Sequence, residues 1–276
     1  MIFKLDRQDY QKVRSLLPAT EQIYNRTVNA IIDGVNRGTI YVDDPNQPKT
    51  ALVDVTGISS LFIGDPHNKE FISSLREFID TQLKIDTYES CEGTYFIAVL
   101  SDETWEKAIE EVISHRDYEP DFECYFKFHP DPFLAAKSSF KQLPDGYSAR
   151  KIDAPVIESD PDEYLSNAIT EFWYSVDDFL KQGLGYCIMK GDEVVSACLS
   201  CCVYGKDHEI NVETYKEEEM NQGLATAACV LYLEHCLQFG LTPHWATMET
   251  NEASIRLGEK LGFEYDSRLK TLEFEF

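Results

Sequence analysis

Residues Asn221–Thr226, Asn-Gln-Gly-Leu-Ala-Thr, lie between three glutamates, Glu217–Glu219, and a long apolar run that reaches Cys236. A helix that starts at such a turn aims its unpaired N–H groups outward, and its dipole adds positive potential there. Gly223 removes the Cβ that would block an approaching phosphate. Leu224 begins the helix, Ala225 is small and Thr226 offers a hydroxyl. The chemistry on offer is capture of a pyrophosphate by backbone amides, with no lysine or arginine needed. A plain strand–turn–helix connection has the same letters, so the flanking residues must decide.

Upstream, the segment Glu209–Thr214 places Glu209, Asn211 and Glu213 on one side of a strand and Ile210, Val212 and Thr214 on the other. Glutamates are depleted in strands. One held in a cleft could serve as a general base if desolvation raises its pKa toward neutrality. One on an exposed edge would only be solvated. Downstream, Asn251 follows a buried-strand pattern, Pro243–Glu249, and opens a short helix with Ser254 on its facing turn. It could cap that helix or hydrogen-bond a ligand lying across the sheet.

The elements that must position these residues follow from periodicity. A helix is expected over 6–17, stopped by Pro18, and another near 21–34. A hairpin follows, with "GTIYVDD" as one arm and "TALVDVTGISSLFIG" as the other. The segment "NKEFISSLREFIDTQLK" reads as an amphipathic helix with Phe71, Leu75, Phe78, Ile79 and Leu83 on one face. A buried strand over 93–100, a helix capped by Asp102, a strand over 117–129 and a polar connection complete the first half. From about Tyr147 the order begins again: strand, helix, hairpin with a Gly191-Asp192 turn, strand, the long helix behind Gly223, buried strand, short helix, closing strand. Gly38 and Gly185 occupy matching places in the two halves.

The 276 residues suffice for one large or two ordinary domains. The formal charge of -24, from 49 acidic against 25 basic residues, argues against nonspecific nucleic-acid binding and against anionic membrane surfaces. No apolar run approaches the roughly 20 residues that span a bilayer, and the start of the chain does not read as a leader. The eight cysteines show no Cys/His cluster with zinc spacing. No metal is expected, and the thiols read as buried and reduced in a cytoplasmic protein.

Residues from about Gly146 to Phe276 resemble the GNAT superfamily of N-acetyltransferases. "MNQGLA" stands where that superfamily has its pyrophosphate loop, Q/R-x-x-G-x-G/A. "NEASIRLGEKLGF" is similar to its closing motif, and "GLGYCIMKGDEVVSACLS" to its central hairpin. The resemblance implies an α/β (α+β) fold of tandem GNAT-like domains, with mixed, mostly antiparallel sheets flanked by helices. Residues 1–141 would form a degenerate first domain without cofactor, and 142–276 the acyltransferase domain. It further implies that acetyl-CoA is held by Val212, Thr214, Asn221, Gln222, Gly223, Leu224, Ala225, Thr226, Asn251 and Ser254. Glu213, or Glu209 through a water, would take the proton of an amine acceptor, small molecule or peptide, in a ternary complex. Monomer and homodimer are equally open.

Two departures stand out. Met220 replaces the usual Gln or Arg of the loop. Gly258 stands where many members carry a tyrosine as general acid, seven residues after the asparagine; Tyr215 and Tyr232 are candidates to replace it. These departures keep a second reading alive, a non-catalytic acyl-CoA sensor or scaffold, and a third, transfer of another acyl group. In the first half, Asp65 and Pro66 stand where the glycine turn would be.

Overall fold

A computed structural model describes residues 1–18 and 23–276. The start of the helix expected near 21–34 lies outside the described residues. The chain forms two compact units. The first comprises Met1–Cys124, Met248–Thr250 and Arg268–Phe276; the second comprises Tyr125–Thr247 and Asn251–Ser267. The sequence suggested one cut at 141/142, whereas the compact units interleave along the chain.

The first unit runs β1 (Phe3–Lys4), a 3-10 helix (Arg7–Leu16), α1 (Asn25–Ile32), β2 (Thr39–Val42), β3 (Thr50–Val55), β4 (Ser59–Gly64), α2 (Lys69–Phe78), α3 (Lys84–Cys91), β5 (Tyr95–Leu100) and α4 (Glu103–Ile113). Strand β6 (Glu119–Phe128) leads out of it. β1 to β5 are neighbours in that order, and the segment Lys270–Glu275 pairs antiparallel with β5. Alternation sends Ile40, Val42, Ala51, Val53, Leu61 and Ile63 to one core, against α1 and the 3-10 helix. Tyr41, Leu52, Phe62 and Phe96 go to the other face, against Phe71 and Leu75 of α2 and Trp105 and Ile109 of α4. Each Val, Leu, Ile or Phe side chain among them, fully buried, contributes about 1.5–3 kcal/mol.

The second arm of the expected hairpin is two strands, not one. Thr56 and Gly57 take φ of +52° and +78° and reverse the chain between β3 and β4. A β-branched residue at positive φ is an outlier that the letters do not announce. Asp54 helps to hold the turn, its Oδ2 accepting from Gly57 N at 2.9 Å.

The second unit contains α5 (Pro130–Ala136), β7 (Tyr147–Lys151), α6 (Ala154–Glu158), α7 (Tyr164–Phe172), α8 (Val176–Gln182), β8 (Gly185–Lys190), β9 (Glu193–Tyr204), β10 (Asp207–Thr214), α9 (Leu224–Phe239), β11 (Thr242–Met248) and α10 (Glu252–Lys260). The closing strand β12 (Phe263–Glu275) begins here and ends in the first unit. Strand order from β6 is β6-β11-β10-β9-β8-β7. The polar connection expected after His129 folds as α5, which buries Phe133. The long helical stretch expected before β8 breaks at Trp173, where Ser175 caps α8 by accepting from Asp178 N.

Helix α9 covers the face of the sheet that carries Tyr186, Cys198, Ser200 and His208. Tyr232 of α9 and Ser200 are 2.8 Å apart, Ser200 and His208 Nδ1 2.9 Å. None of the eight cysteines is in a disulfide. Cys198 and Cys201 have C-x-x-C spacing within β9, and both are free thiols. No helix of the described residues is long and apolar enough to cross a membrane.

Two buried groups give the fold opposite pH responses. Burial pushes the Asp54 carboxyl up to about 7 from 3.8, against the Gly57 bond, with Asp86 adding to the rise. Its contribution to stability is fully present below 3.8 and is lost as pH rises through 7. Burial pushes His208 down to about 4 from 6.5. Its contribution is present above 6.5 and is lost as pH falls through 4. Asp54→Asn should therefore gain stability on the parent between pH 4 and 8, by up to about 4 kcal/mol. His208→Gln should gain on it in the opposite direction, from pH 8 to 4, by up to about 3 kcal/mol. Urea unfolding across that range checks both; a pH-independent difference would remove the ionisation assigned.

Candidate functional site

Strands β10 and β11 are parallel neighbours in register only at Asp207↔Thr242, His208↔Pro243 and Glu209↔His244. Beyond Glu209 the register pairs end, while β10 stays paired with β9 as far as Thr214. The irregularity in that second ladder falls between Glu209 and Ile210, where Cys201 of β9 is the extra residue. The residues from Ile210 to Thr214 therefore have an edge with no register partner in β11. An extended chain with amide groups could lie along that edge.

The edge leads straight to the glycine turn. Tyr215 N still donates to Val195 O at 3.0 Å, and Glu217–Glu219 then form one 3-10 turn. Asn221 and Gly223 take φ of +61° and +87°. Gly223 is the N-cap of α9, with no side chain capping the helix. The first bond of the helix runs from Ala227 N to Gly223 O at 3.0 Å, so the amides of Leu224, Ala225 and Thr226 stand ahead of the ladder. A Cβ built on Gly223 meets no atom within 4 Å. The turn is an open cradle of N–H groups.

The acidic run ahead of the cradle is partly neutralised. Glu217 and Glu218 are exposed, but Glu219 is buried. It accepts from Lys190 Nζ at 2.6 Å and from the Tyr147 hydroxyl. The Lys190 bond first, then that of Tyr147, holds the Glu219 carboxyl below its ordinary value. Gln222 is tied into the same knot, its Nε2 donating to Glu218 O at 2.9 Å and Glu219 Oε2 at 3.2 Å. Its side chain props the loop, leaving its backbone for a ligand.

Thr226, buried in the first turn of α9, accepts from Lys260 Nζ at 3.3 Å. Lys260 also lies 5.4 Å from the centre of the Phe140 ring. The sequence reading missed this lysine at the helix start. Its only signal was its place on the last turn of α10.

The remaining candidates fall on either side of the open edge. Val212 is half-buried and Glu213 exposed. Thr214 Oγ1 donates to Ser196 Oγ at 3.1 Å, which donates to Glu213 O at 2.7 Å. Glu209 is half-buried where the register between β10 and β11 ends. Asn251 Oδ1 caps α10 by accepting from Ser254 N at 3.1 Å, and Ser254 Oγ accepts from Trp245 Nε1 at 3.2 Å. Both side-chain oxygens are thus used by the fold.

The structure also explains Gly258. A Cβ there would lie 3.2 Å from Trp245 Nε1, so the indole occupies the room a tyrosine would need. Tyr232 spends its hydroxyl on Ser200 in the core. Tyr215 stacks on Tyr164 with ring centres 4.5 Å apart, and its enclosed hydroxyl has no hydrogen-bond partner among the described residues. Burial raises the Tyr215 pKa above that of an ordinary tyrosine, which weakens it as an acid. Among the described residues no group of three or more His, Cys, Asp or Glu side chains could hold a metal.

Comparison with known proteins identifies the family. The family model described as GNAT acetyltransferase matches residues 18–272. The chain is 27% identical over 238 residues to the uncharacterized N-acetyltransferase YdfB of Bacillus subtilis (strain 168), covering 86% of this chain and 85% of that one. A GCN5-related N-acetyltransferase-like protein from Streptococcus suis 89/1591 is 26% identical, with a TM-score of 0.68 over 96% of this chain and 98% of that chain. A tandem GNAT protein from the clavulanic acid biosynthesis pathway, 12% identical, shares the fold over 100% of this chain and 98% of its own, with a TM-score of 0.59. The mixed α/β fold, with sheet strands flanked by helices, is that of tandem GNAT proteins, and the chain belongs to the GNAT acetyltransferase family.

Proposed function

We propose that the second unit binds acetyl-CoA and transfers its acetyl group to an amine by direct attack in a ternary complex. The observation that carries this reading is the uncapped glycine start of α9 at the end of a strand edge left open by the β10–β11 divergence. The cradle fits a pyrophosphate: it offers amides without a capping side chain, and a Cβ at Gly223 would stand in open space. Backbone groups of Val212 and Thr214 would pair with the amide-bearing arm, and those of Asn221–Thr226 would hold the phosphates. Asn251 and Ser254 would shape the far side of the opening. The bound coenzyme supplies an acyl group activated as a thioester.

Glu209 is the better placed base. The acyl group lies at the far end of the arm from the phosphates. Glu209 is four residues farther from the turn than Glu213, about 13 Å along a strand. In this reading Glu209 takes the proton lost by the amine, directly or through a water, and Glu213 faces solvent at the phosphate end. No tyrosine is set to protonate the departing sulfur, because Trp245 fills the space beside Gly258. A thiolate is stable enough to leave without one. That same feature favours the second reading, a sensor that binds acyl-CoA without turnover. Free-thiol release in a screen of amines with acetyl-CoA separates the two.

The first unit is proposed to hold no acetyl-CoA. Asn68 caps α2 by accepting from Phe71 N at 3.3 Å, and its Nδ2 donates to Asp43 Oδ2 at 2.7 Å. Asp65 turns its Oδ1 to His67 N at 2.9 Å, and Pro66 has no N–H to give. That helix start is filled by its own side chain and flanked by carboxylates. Calorimetry should give one acetyl-CoA per chain; two equivalent sites would overturn the division. The protein would work in the cytoplasm, without metal, nucleic acid or membrane.

A further inference from the structure

Helix α3 turns apolar side chains to solvent, and a local irregularity explains why. A single π turn, Ile79–Leu83, joins it to α2. One extra residue in a helix rotates everything after it by about 100°. In an uninterrupted helix Ile85 would lie near the core stripe of Phe71, Leu75 and Ile79. After the π turn, Leu83 and Thr87 are buried instead, and Ile85 and Tyr88 stand outward, 52% and 61% exposed.

A slot of about 370 Å³ opens beside this stripe. Ile85 and Tyr88 line it from the helix, Gly93 and Thr94 from the turn after it, and Phe276 from just beyond β12. Phe276 is fixed there, its N–H donating to Thr94 O at 3.0 Å and its ring centre 6.4 Å from that of Phe96. This corner of the first unit thus has both projecting apolar groups and a hollow that can receive one.

The charges on the stripe are ordered along it. Lys84 precedes the Ile85–Tyr88 pair and Glu89 follows it; both are exposed. Among the described residues neither is in an ion pair. Consider a second α3 laid antiparallel on the first, about a two-fold axis midway between Ile85 and Tyr88. Ile85 then meets the partner's Tyr88, and Lys84 meets the partner's Glu89, each contact occurring twice by symmetry. A parallel arrangement would set lysine beside lysine and glutamate beside glutamate.

We propose that α3 is a self-association surface, on which two copies of the chain pair through antiparallel helices. The projecting side chains of each copy enter the slot of the other. In a chain of formal charge -24 most encounters between copies are repulsive. The two opposed Lys84–Glu89 pairs favour this one orientation, and tyrosine is a residue type that anchors interfaces. The helix has only eight residues, so the buried area is small and the dimer weak, with a Kd on the order of 10 µM.

Sedimentation equilibrium of the intact chain at physiological salt, from about 1 to 300 µM, should show the mass rise from monomer to dimer. Lys84→Glu and Glu89→Lys should each weaken dimerisation by about tenfold or more, because like charges then face each other twice. Both positions are exposed, so the melting curves should match that of the parent. An equimolar mixture of the two variants should dimerise again, since their altered surfaces carry opposite charges. Adding Tyr88→Ser to both should abolish that recovery. A parent that stays monomeric throughout overturns the proposal and leaves the slot to a small apolar ligand or to another protein. A dimer that ignores Lys84→Glu overturns it too, because it would form on another surface. So does a mixture that fails to recover, because the antiparallel pairing requires it. None of these readings involves acetyl-CoA, so the proposed reaction stands or falls separately.

Discussion

Gly223→Val is expected to lose acetyl-CoA affinity by at least about a hundredfold. Two effects act together. The new side chain would enter the open space in front of the α9 amides, where no protein atom lies within 4 Å. The backbone at φ +87° is also a conformation that valine avoids. Holding a β-branched residue there costs about 1–3 kcal/mol, and relaxation would turn the amides away from the phosphates. Gly223→Ala has nearly the same backbone cost with a much smaller obstruction, so it should fall between the parent and the valine variant. Calorimetry with a parallel melting curve reads both effects. A folded valine variant that binds like the parent would mean that the turn does not hold the phosphates.

Glu209→Gln should lower turnover by about 10²–10⁴-fold while acetyl-CoA affinity stays within a few fold. The glutamine keeps the size of the side chain and its place at the end of the β10–β11 register, but it cannot take a proton. Glu213→Gln, at an exposed position, should change turnover little. If the pattern is reversed, the thioester lies nearer the turn than the register suggests, and Glu213 is the base. If neither variant changes the rate or its pH profile, the amine proton goes to water.

Much of this was legible in the letters because glycine marks the reversals. Gly191 and Gly223 both sit at positive φ, at the hairpin and the helix start the sequence had placed there. The capping roles of Asp102 and Asn251 were legible for the same reason, since their side chains act within three residues. The misses depend on less local causes. The Thr56–Gly57 turn uses a threonine in a conformation that its side chain disfavours. The neutralisation of Glu219 left no sign in the letters because its partners, Lys190 and Tyr147, are 29 and 72 residues away. Lys260 reaches Thr226 across 34 residues. Side-chain pairings at that range leave no periodicity behind. Nor does a strand pattern say which neighbour it will join, which is why the interleaving of the two units could not be read.

That interleaving has a consequence for synthesis on the ribosome. Leu272 and Phe274 belong to the same core as Phe96, Ala98 and Leu100, and Lys270–Glu275 is the edge partner of β5. As the nascent chain emerges, residues up to Cys124 are exposed long before that partner is made. At about 5–20 residues per second the wait is roughly 8–30 s. Through that interval β5 offers an open edge, the kind of surface that pairs with the wrong strand, although α2 and α4 are already made and can cover its apolar face. The first part of the protein to be made is therefore among the last to finish folding, and a holding chaperone should find it on translating ribosomes.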